Sequence, residues 1–345
     1  MMKITKLYPP KNNAFVLEEL PFRSQTLFGA LANCYATLFG KKSFSEFLSL
    51  FDKGKIGSVF PALKIAGKEI FFLPRPFLSR LKTDSDKDDF SSKKKVKKIH
   101  WLSLKAMKFL ANSIREINGE FFHSIDFEKD LTIIGKEFLI MKNELPSSIT
   151  EKIKDISFYR KSDVVRVNVS RFGENSTPFE QTEISLFEMK IKLGEEEIIQ
   201  TKMFLYFPED IETNEKWEAA KQLFADEGIG GKRNLGKGYF DKVETAEIIW
   251  ETTTIPKLYL LLSNLIPKKE ELKNIQTYEI GKDDGFITFG YASAFKKDAI
   301  FYLKEGSVIK SQIGGKIVSQ QFKDNTIYRY GKAFLLPLGN ENKNF

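Results

Sequence analysis

From residue 228 to residue 240 the chain reads Gly-Ile-Gly-Gly-Lys-Arg-Asn-Leu-Gly-Lys-Gly-Tyr-Phe. Five of its 22 glycines fall within eleven residues, alongside Lys232, Arg233 and Lys237. A backbone without Cβ atoms can approach a ligand closely and can take φ > 0 without strain. Successive N–H groups in that geometry form a concave anion site, and the cationic side chains add charge to it. The ligand implied is a phosphate.

What flanks the loop narrows the kind of phosphate. Nucleotide-binding glycine loops run strand, loop, helix, so that the phosphate meets the helix N-terminus. Here the order is reversed. Thr213 or Asn214 caps a predicted helix carrying Trp217, Ala220 and Phe224 on one face, and the glycines follow its end. A strand-like run, Tyr239-Phe240 and on to Ile248-Ile249-Trp250, comes after them. The two Gly-Lys pairs are followed by Arg233 and Gly238, so no Walker sequence is present. A polymeric phosphate backbone fits this order better than a mononucleotide. A plain helix C-cap would explain one or two of the glycines, not five.

Other chemistry has little to work with. Metal-independent RNA cleavage through the 2′-OH wants a general acid and base near neutral pH, usually histidine. The chain has two, His100 and His123, and neither lies near the glycine loop in sequence. No histidine–cysteine cluster has zinc spacing, and no serine sits in a nucleophile elbow. No cofactor is implied.

The elements that position the loop belong to an ordinary globular chain. With 345 residues, 42% hydrophobic and 13% aromatic content, it can bury sizeable cores and suggests two domains. The formal charge of +8 favours a polyanionic partner. The single cysteine, Cys34, excludes an intramolecular disulfide framework and falls on an apolar helix face as a buried thiol. No apolar run of eighteen residues and no leader-like N-terminus is found, so the reading is a soluble, cytoplasmic protein without membrane contact.

In chain order, residues 2–8 read as a strand. Ser24 reads as the N-cap of a helix carrying Leu27, Phe28, Leu31, Cys34, Tyr35 and Leu38, ended by Gly40. Arg23, Ser24 and Thr26 thus gather at a helix N-terminus, which favours an anion. Ser43 and Glu46 form a capping box for a second helix. Strands are expected near 59–66 and 69–73. Residues 79–98 run from aspartates to lysines and read as a solvated insertion. A helix from about Ser103 aligns Leu104, Met107, Leu110 and Ile114.

Residues 164–190 read as a long hairpin. Val165, Val167 and Val169 make an apolar face, Arg166 and Asn168 a polar one, and Arg171-Phe172 lies near the turn. Arginines and an aromatic there suit insertion beside a single-stranded nucleic acid. The order strand, helix, strands, helix, glycine loop, strand over residues 1–250 is that of a βαββαβ ferredoxin-like unit with insertions. Residues 256–345 read as a smaller strand-rich domain with strands near Leu258–Leu262, Phe286–Phe289, Ile300–Leu303, Lys316–Val318 and Ala333–Leu336.

Five segments together carry a family resemblance. They are Phe22–Ala30, Leu73-Pro74-Arg75-Pro76, Arg166–Phe172, Gly228–Phe240 and Tyr328–Pro337. In order, they resemble the fourth Csm subunit of type III-A CRISPR effector complexes, a Cas5-like member of the RAMP superfamily. The resemblance implies an α+β fold of two ferredoxin-like (RRM-like) domains, 1–250 and 256–345, the first carrying a β-hairpin thumb. It implies a non-catalytic subunit that holds the 5′ repeat-derived tag of the crRNA. Its partners would be the large polymerase-like (Cas-ten type) subunit and the backbone RAMP subunit of the filament, with target RNA met indirectly. RNA-binding residues carried over are Gly228, Gly230, Gly231, Lys232, Arg233, Asn234, Gly236, Lys237 and Gly238 in the loop. Arg23, Ser24 and Thr26 would contact the tag backbone, and Arg166, Arg171 and Phe172 belong to the thumb. Gln25 departs from the acidic residue often found at that point in the family. The enzyme alternative is a repeat-processing endoribonuclease of the same superfamily using His100 or His123. A regulator that binds a mononucleotide in the glycine loop is the third class.

Overall fold

The computed structural model describes residues 1–11, 13–81, 97–126, 129–169, 176–193, 197–250, 256–287, 295–322 and 325–338. Arg171, Phe172 and most of the 79–98 insertion lie outside them. The fold is mixed α/β.

Its first elements are β1 (Met2–Tyr8), β2 (Ala14–Phe15), α1 (Ser24–Phe39), α2 (Phe44–Lys53), β3 (Phe60–Ile65) and β4 (Lys68–Pro74). Next come β5 (Trp101–Ser103), α3 (Leu104–Asn112), β6 (Leu131–Ile134), β7 (Phe138–Met141) and α4 (Ser147–Ile153). The hairpin strands β8 (Tyr159–Val169) and β9 (Ser176–Leu186) follow, then β10 (Glu188–Lys192), β11 (Ile198–Asp210), α5 (Glu215–Glu227) and β12 (Lys242–Ile248). The main sheet runs β6-β7-β5-β4-β3-β11-β1-β12. Within it, β11 pairs antiparallel with both β3 and β1, and β1 with β12, with Leu7 opposite Leu205 and Val243.

These strands form because their inward residues are apolar at period two or, in the middle of the sheet, on both faces. Met203 to Phe207 of β11 are all buried. Against the sheet lie α1 and α5, packed on each other. Asn214 caps α5 by accepting the Trp217 N–H at 2.8 Å, and Trp217, Ala220 and Phe224 are buried, as the sequence predicts.

The C-terminal residues contribute β13 (Leu258–Leu261), β14 (Ile275–Thr277), β15 (Ile280–Asp283), β16 (Ile300–Leu303), β17 (Val308–Ile309) and β18 (Leu335–Leu338). Four of these form a sheet in the order β14-β17-β13-β18. One face of it joins the main core: Leu258, Leu260, Val308, Leu336 and Leu338 cluster with the first 250 residues. Tyr330 stitches the two parts. Its ring stacks 5.3 Å from Phe28, and its hydroxyl accepts from the Ile56 N–H (2.8 Å) and donates to the Ile56 carbonyl (3.0 Å).

Several local expectations are corrected. Ser24 is the first helical residue rather than the cap of α1; the cap position is Arg23, with no side-chain cap bond. Ser43 does hold the N-cap position of α2, but its hydroxyl bonds the Gly40 carbonyl and makes no cap bond, so the capping box does not form. Its intended partner Glu46 instead meets Lys216 at 2.7 Å. Ile114 lies beyond α3, which ends at Asn112. Val165, Val167 and Val169 are 65, 54 and 71% exposed, so their alternation marks no buried face. The outer hairpin extends past the body, and its strands have each other as partners there; β2 meets β9 at Ile184 and Ser185 alone.

Candidate nucleic-acid interface

Segment Asn13–Val16 is the support on which both the hairpin and the glycine loop are built. On one side, β2 pairs with β9 and anchors the hairpin base. On the other, the Gly231 N–H donates to the Val16 carbonyl (3.0 Å) and the Gly238 N–H to the Ala14 carbonyl (3.1 Å). Asn13 fastens the end of the loop: its Nδ2 donates to the Tyr239 carbonyl at 2.9 Å. Phe15 then packs 5.5 Å from Phe240 at the loop's exit. Nothing in the sequence singled out Asn13, since a lone asparagine in a turn carries no spacing signal.

The loop itself begins where Gly228 ends α5 at φ +74°, its N–H donating to the Phe224 carbonyl at 2.8 Å. The glycines are needed for close backbone contact. A Cβ on Gly228 would lie 2.3 Å from the Gly238 carbonyl oxygen, and one on Gly238 2.2 Å from that of Ile229. Gly230 similarly meets the Val16 carbonyl, whereas Gly236 faces open space. The N–H groups of Gly228, Ile229, Gly231, Leu235, Gly236 and Gly238 are all spent on carbonyls of the protein. These six donors are therefore closed to a ligand, and a backbone cradle has only the loop's remaining N–H groups to draw on. What the folded loop offers outward is side chains: Lys232, Asn234 and Leu235 are exposed on a short 3₁₀ turn, Arg233–Leu235.

Across from that turn stands the hairpin. A cleft of about 350 Å³ separates them, lined by Arg166, Val167, Asn168 and Phe179 on one side and Lys232 and Leu235 on the other. Glu183 holds the two sides together. Its Oε1 accepts from Arg166 Nη2 at 3.1 Å, from Gln181 Nε2 at 2.8 Å and from the Lys237 ammonium. Burial pushes the Glu183 carboxyl up, but the Lys237 and Arg166 bonds outweigh it and hold it below the usual carboxylate range. Arg233 Nη1 stands 3.5 Å from Glu227. Phe179 and Glu183 were not expected from sequence. Phe179 pairs with Arg166 across the hairpin, a relationship that only the register reveals.

The N-terminus of α1 is placed elsewhere. Ser24 is fully buried, and its hydroxyl accepts the Asn264 N–H at 2.9 Å. Gln25 donates to Asp283 at 2.7 Å, and Arg23 Nη1 lies 3.3 Å from the Tyr302 hydroxyl. This end of α1 docks into the C-terminal part, with Thr26 half-buried in its first turn. Ser24, expected to contact an RNA backbone, is thus occupied in holding the two parts of the chain together.

The histidines do not form an acid–base pair suited to neutral pH. His123 is 1% exposed, and burial next to Arg75 and Arg80 lowers its pKa to about 4. His100 is lowered as well, by burial and by Arg75. Among the described residues no group of histidine, cysteine or carboxylate side chains is arranged to hold a metal. Cys34 is buried, with its thiol pushed up to about 11. No helix among the described residues is long and apolar enough to cross a membrane.

Residues 256–338 match the family model of the CRISPR Csm4 C-terminal domain. The chain resembles the fourth Csm subunit. A curated Csm4 of Methanocaldococcus jannaschii is 27% identical over the whole of both chains. The Csm4 of Thermococcus onnurineus is 25% identical, covering 92% of this chain and 91% of its own. Among solved structures, one chain of a Csm3–Csm4 subcomplex from the type III-A CRISPR-Cas interference complex superposes with a TM-score of 0.67. It is 23% identical, covering 98% of this chain and all of that one. A chain of a Csm1–Csm4 cassette bound to pppApA gives 0.56 at 18% identity, covering 99% of both. The fold is therefore shared with Csm4 structures from end to end.

Proposed function

We propose that this chain is the crRNA-binding Csm4 subunit of a type III-A (Csm) interference complex, acting in antiviral defence. In this reading it holds the 5′ repeat-derived tag and performs no chemistry on it. It joins a large polymerase-like subunit to the backbone filament, the pairings named for the Csm1–Csm4 and Csm3–Csm4 relatives. The observation that carries the proposal is the cleft in which Arg166 and Phe179 of the hairpin face Lys232 and Leu235 of the glycine loop. Cations for phosphate beside an aromatic ring for a base are what a single-stranded RNA requires.

Residues 1–250 are read as the first ferredoxin-like domain. The antiparallel order β3-β11-β1-β12, with α1 beside α5, supports this. Residues 256–345 form the second, smaller domain, and the β8–β9 hairpin is the thumb that bends guide RNA where tag meets spacer. Arg171 and Phe172, which follow β8 in sequence, and Arg23 and Thr26 on α1 remain in the proposed RNA surface. Lys237 is released to RNA from Glu183.

The test is co-purification of the full chain expressed together with its Csm partners. Guide RNA of uniform 5′ sequence should accompany it. A complex assembled without RNA, or multiple-turnover cleavage of repeat RNA by the isolated chain, would overturn the reading.

A further inference from the structure

A second cleft, of about 620 Å³, opens where Pro74–Leu78 and the base of β8 face Arg23 and Tyr302. No residue lines both this cleft and the one between hairpin and loop. Its size is that of a small-ligand site. Tyr159, Phe77, Tyr302 and Trp101 supply aromatic surface. The Arg23 guanidinium lies 6.0 Å from the centre of the Tyr302 ring, which orients one cation at the rim. Lys161 and Lys304 add two more.

Two polar groups lie inside. Glu137 accepts the Tyr159 hydroxyl at 2.9 Å, and its second oxygen is not used by that bond. Burial raises this carboxyl to about 7, so it exists at neutral pH both as an acid that donates and as an anion that only accepts. The indole N–H of Trp101, 2% exposed, is directed at the same Tyr159 hydroxyl, so Tyr159 links Trp101 to Glu137.

We propose that this cleft binds one purine nucleotide, with its base against Tyr159 and Phe77, its edge on Glu137, and its phosphate toward Arg23 and Lys161. A carboxyl group meets two adjacent atoms of a purine edge. As an anion it accepts from N1–H and the amino group of guanine; protonated, it donates to N1 and accepts from the amino group of adenine. The larger ring also stacks over more of the aromatic wall than a pyrimidine does. The nucleotide is either the terminal unit of an RNA held by this chain or a free mononucleotide. Either source can fill this cleft whether or not RNA occupies the one between hairpin and loop.

The experiment is calorimetric titration of the full-length protein with AMP, GMP and CMP, followed by competition with a short 5′-phosphorylated RNA. Saturable binding of a purine nucleotide is expected, at least tenfold tighter than CMP. Lys161→Ala, at an exposed position, and Glu137→Gln, which keeps the side-chain shape, should each weaken it tenfold or more. Lys232→Ala should leave it unchanged, which separates this site from the hairpin–loop cleft. Displacement by the RNA identifies the RNA end as the source, and simultaneous binding identifies a free nucleotide. Absence of purine binding, or equal affinity in wild type and both cleft variants, would overturn the proposal.

Discussion

Arg166 and Lys237 converge on a single oxygen, Glu183 Oε1, so one buried carboxylate latches the hairpin to the glycine loop. In the proposed complex, phosphate competes with that carboxylate for both cations. Glu183→Gln removes the competitor while keeping its shape. We expect the variant to bind single-stranded RNA with a steeper salt dependence. The log–log slope should grow by roughly 0.7 for each cation transferred to phosphate. Filter binding across a salt series reads this directly, and an unchanged slope would mean that neither cation reaches the RNA.

The glycines separate into those that pack and those that do not. Gly238→Ala places a Cβ on the Ile229 carbonyl at φ +78°, so the loop must open to accept it. Gly236→Ala, at φ +74° in open space, bears the left-handed backbone penalty alone, about 1–2 kcal/mol. Gly238→Ala should therefore lower both the thermal midpoint and RNA affinity, and Gly236→Ala should lower the midpoint modestly. Equal effects in the two variants would contradict the packing role.

Much of this arrangement was legible in the sequence. The reversed order of helix and loop, the Asn214 cap and the buried Trp217 face follow from local rules acting over one or two turns. The hairpin followed from alternation, yet its valines proved exposed, because period two reports a strand and not which face is covered. Ser24 shows the same limit. A serine before a helix is a cap on statistics, whereas here its hydroxyl meets Asn264, 240 residues away. Glu183, Asn13 and Glu137 carry no motif. Their roles arise from register and from pairing between segments distant in sequence.

Buried polar chemistry elsewhere holds the first 250 residues together. Lys221 and Glu209 are fully buried and 2.9 Å apart. Lys221 also meets Thr5, Thr245 and Glu218, and Glu209 accepts the Trp217 indole N–H at 2.8 Å. Glu209→Leu should destabilise by about 3–5 kcal/mol, because it removes the buried carboxylate from Lys221 and leaves that ammonium only the partly exposed Glu218 as a charge partner. The double variant Glu209→Leu/Lys221→Met should be less destabilised than the sum of the single variants. Additive losses in denaturant midpoints would show that the pair is not coupled.

His123 makes stability depend on pH. Its imidazole takes a proton near 6.5 when unfolded but only near 4 when folded, owing to burial and to Arg75 and Arg80. Between these values the unfolded state binds more protons, so stability is retained above about 6.5 and lost as pH falls toward 4. A His123→Gln variant should lose this part of the slope. Thermal midpoints followed from pH 7 to pH 4 test it, and parallel curves for the two proteins would contradict it.

The central claim is that the side chains on the glycine loop grip an RNA backbone. Its most direct measurement is the salt dependence of guide-RNA binding by the variant Lys232→Ala/Arg233→Ala/Lys237→Ala. Weaker binding is expected, with a log–log slope flatter by roughly 2, about 0.7 for each of the three lost contacts. A slope matching that of the wild type would place the RNA elsewhere on the molecule.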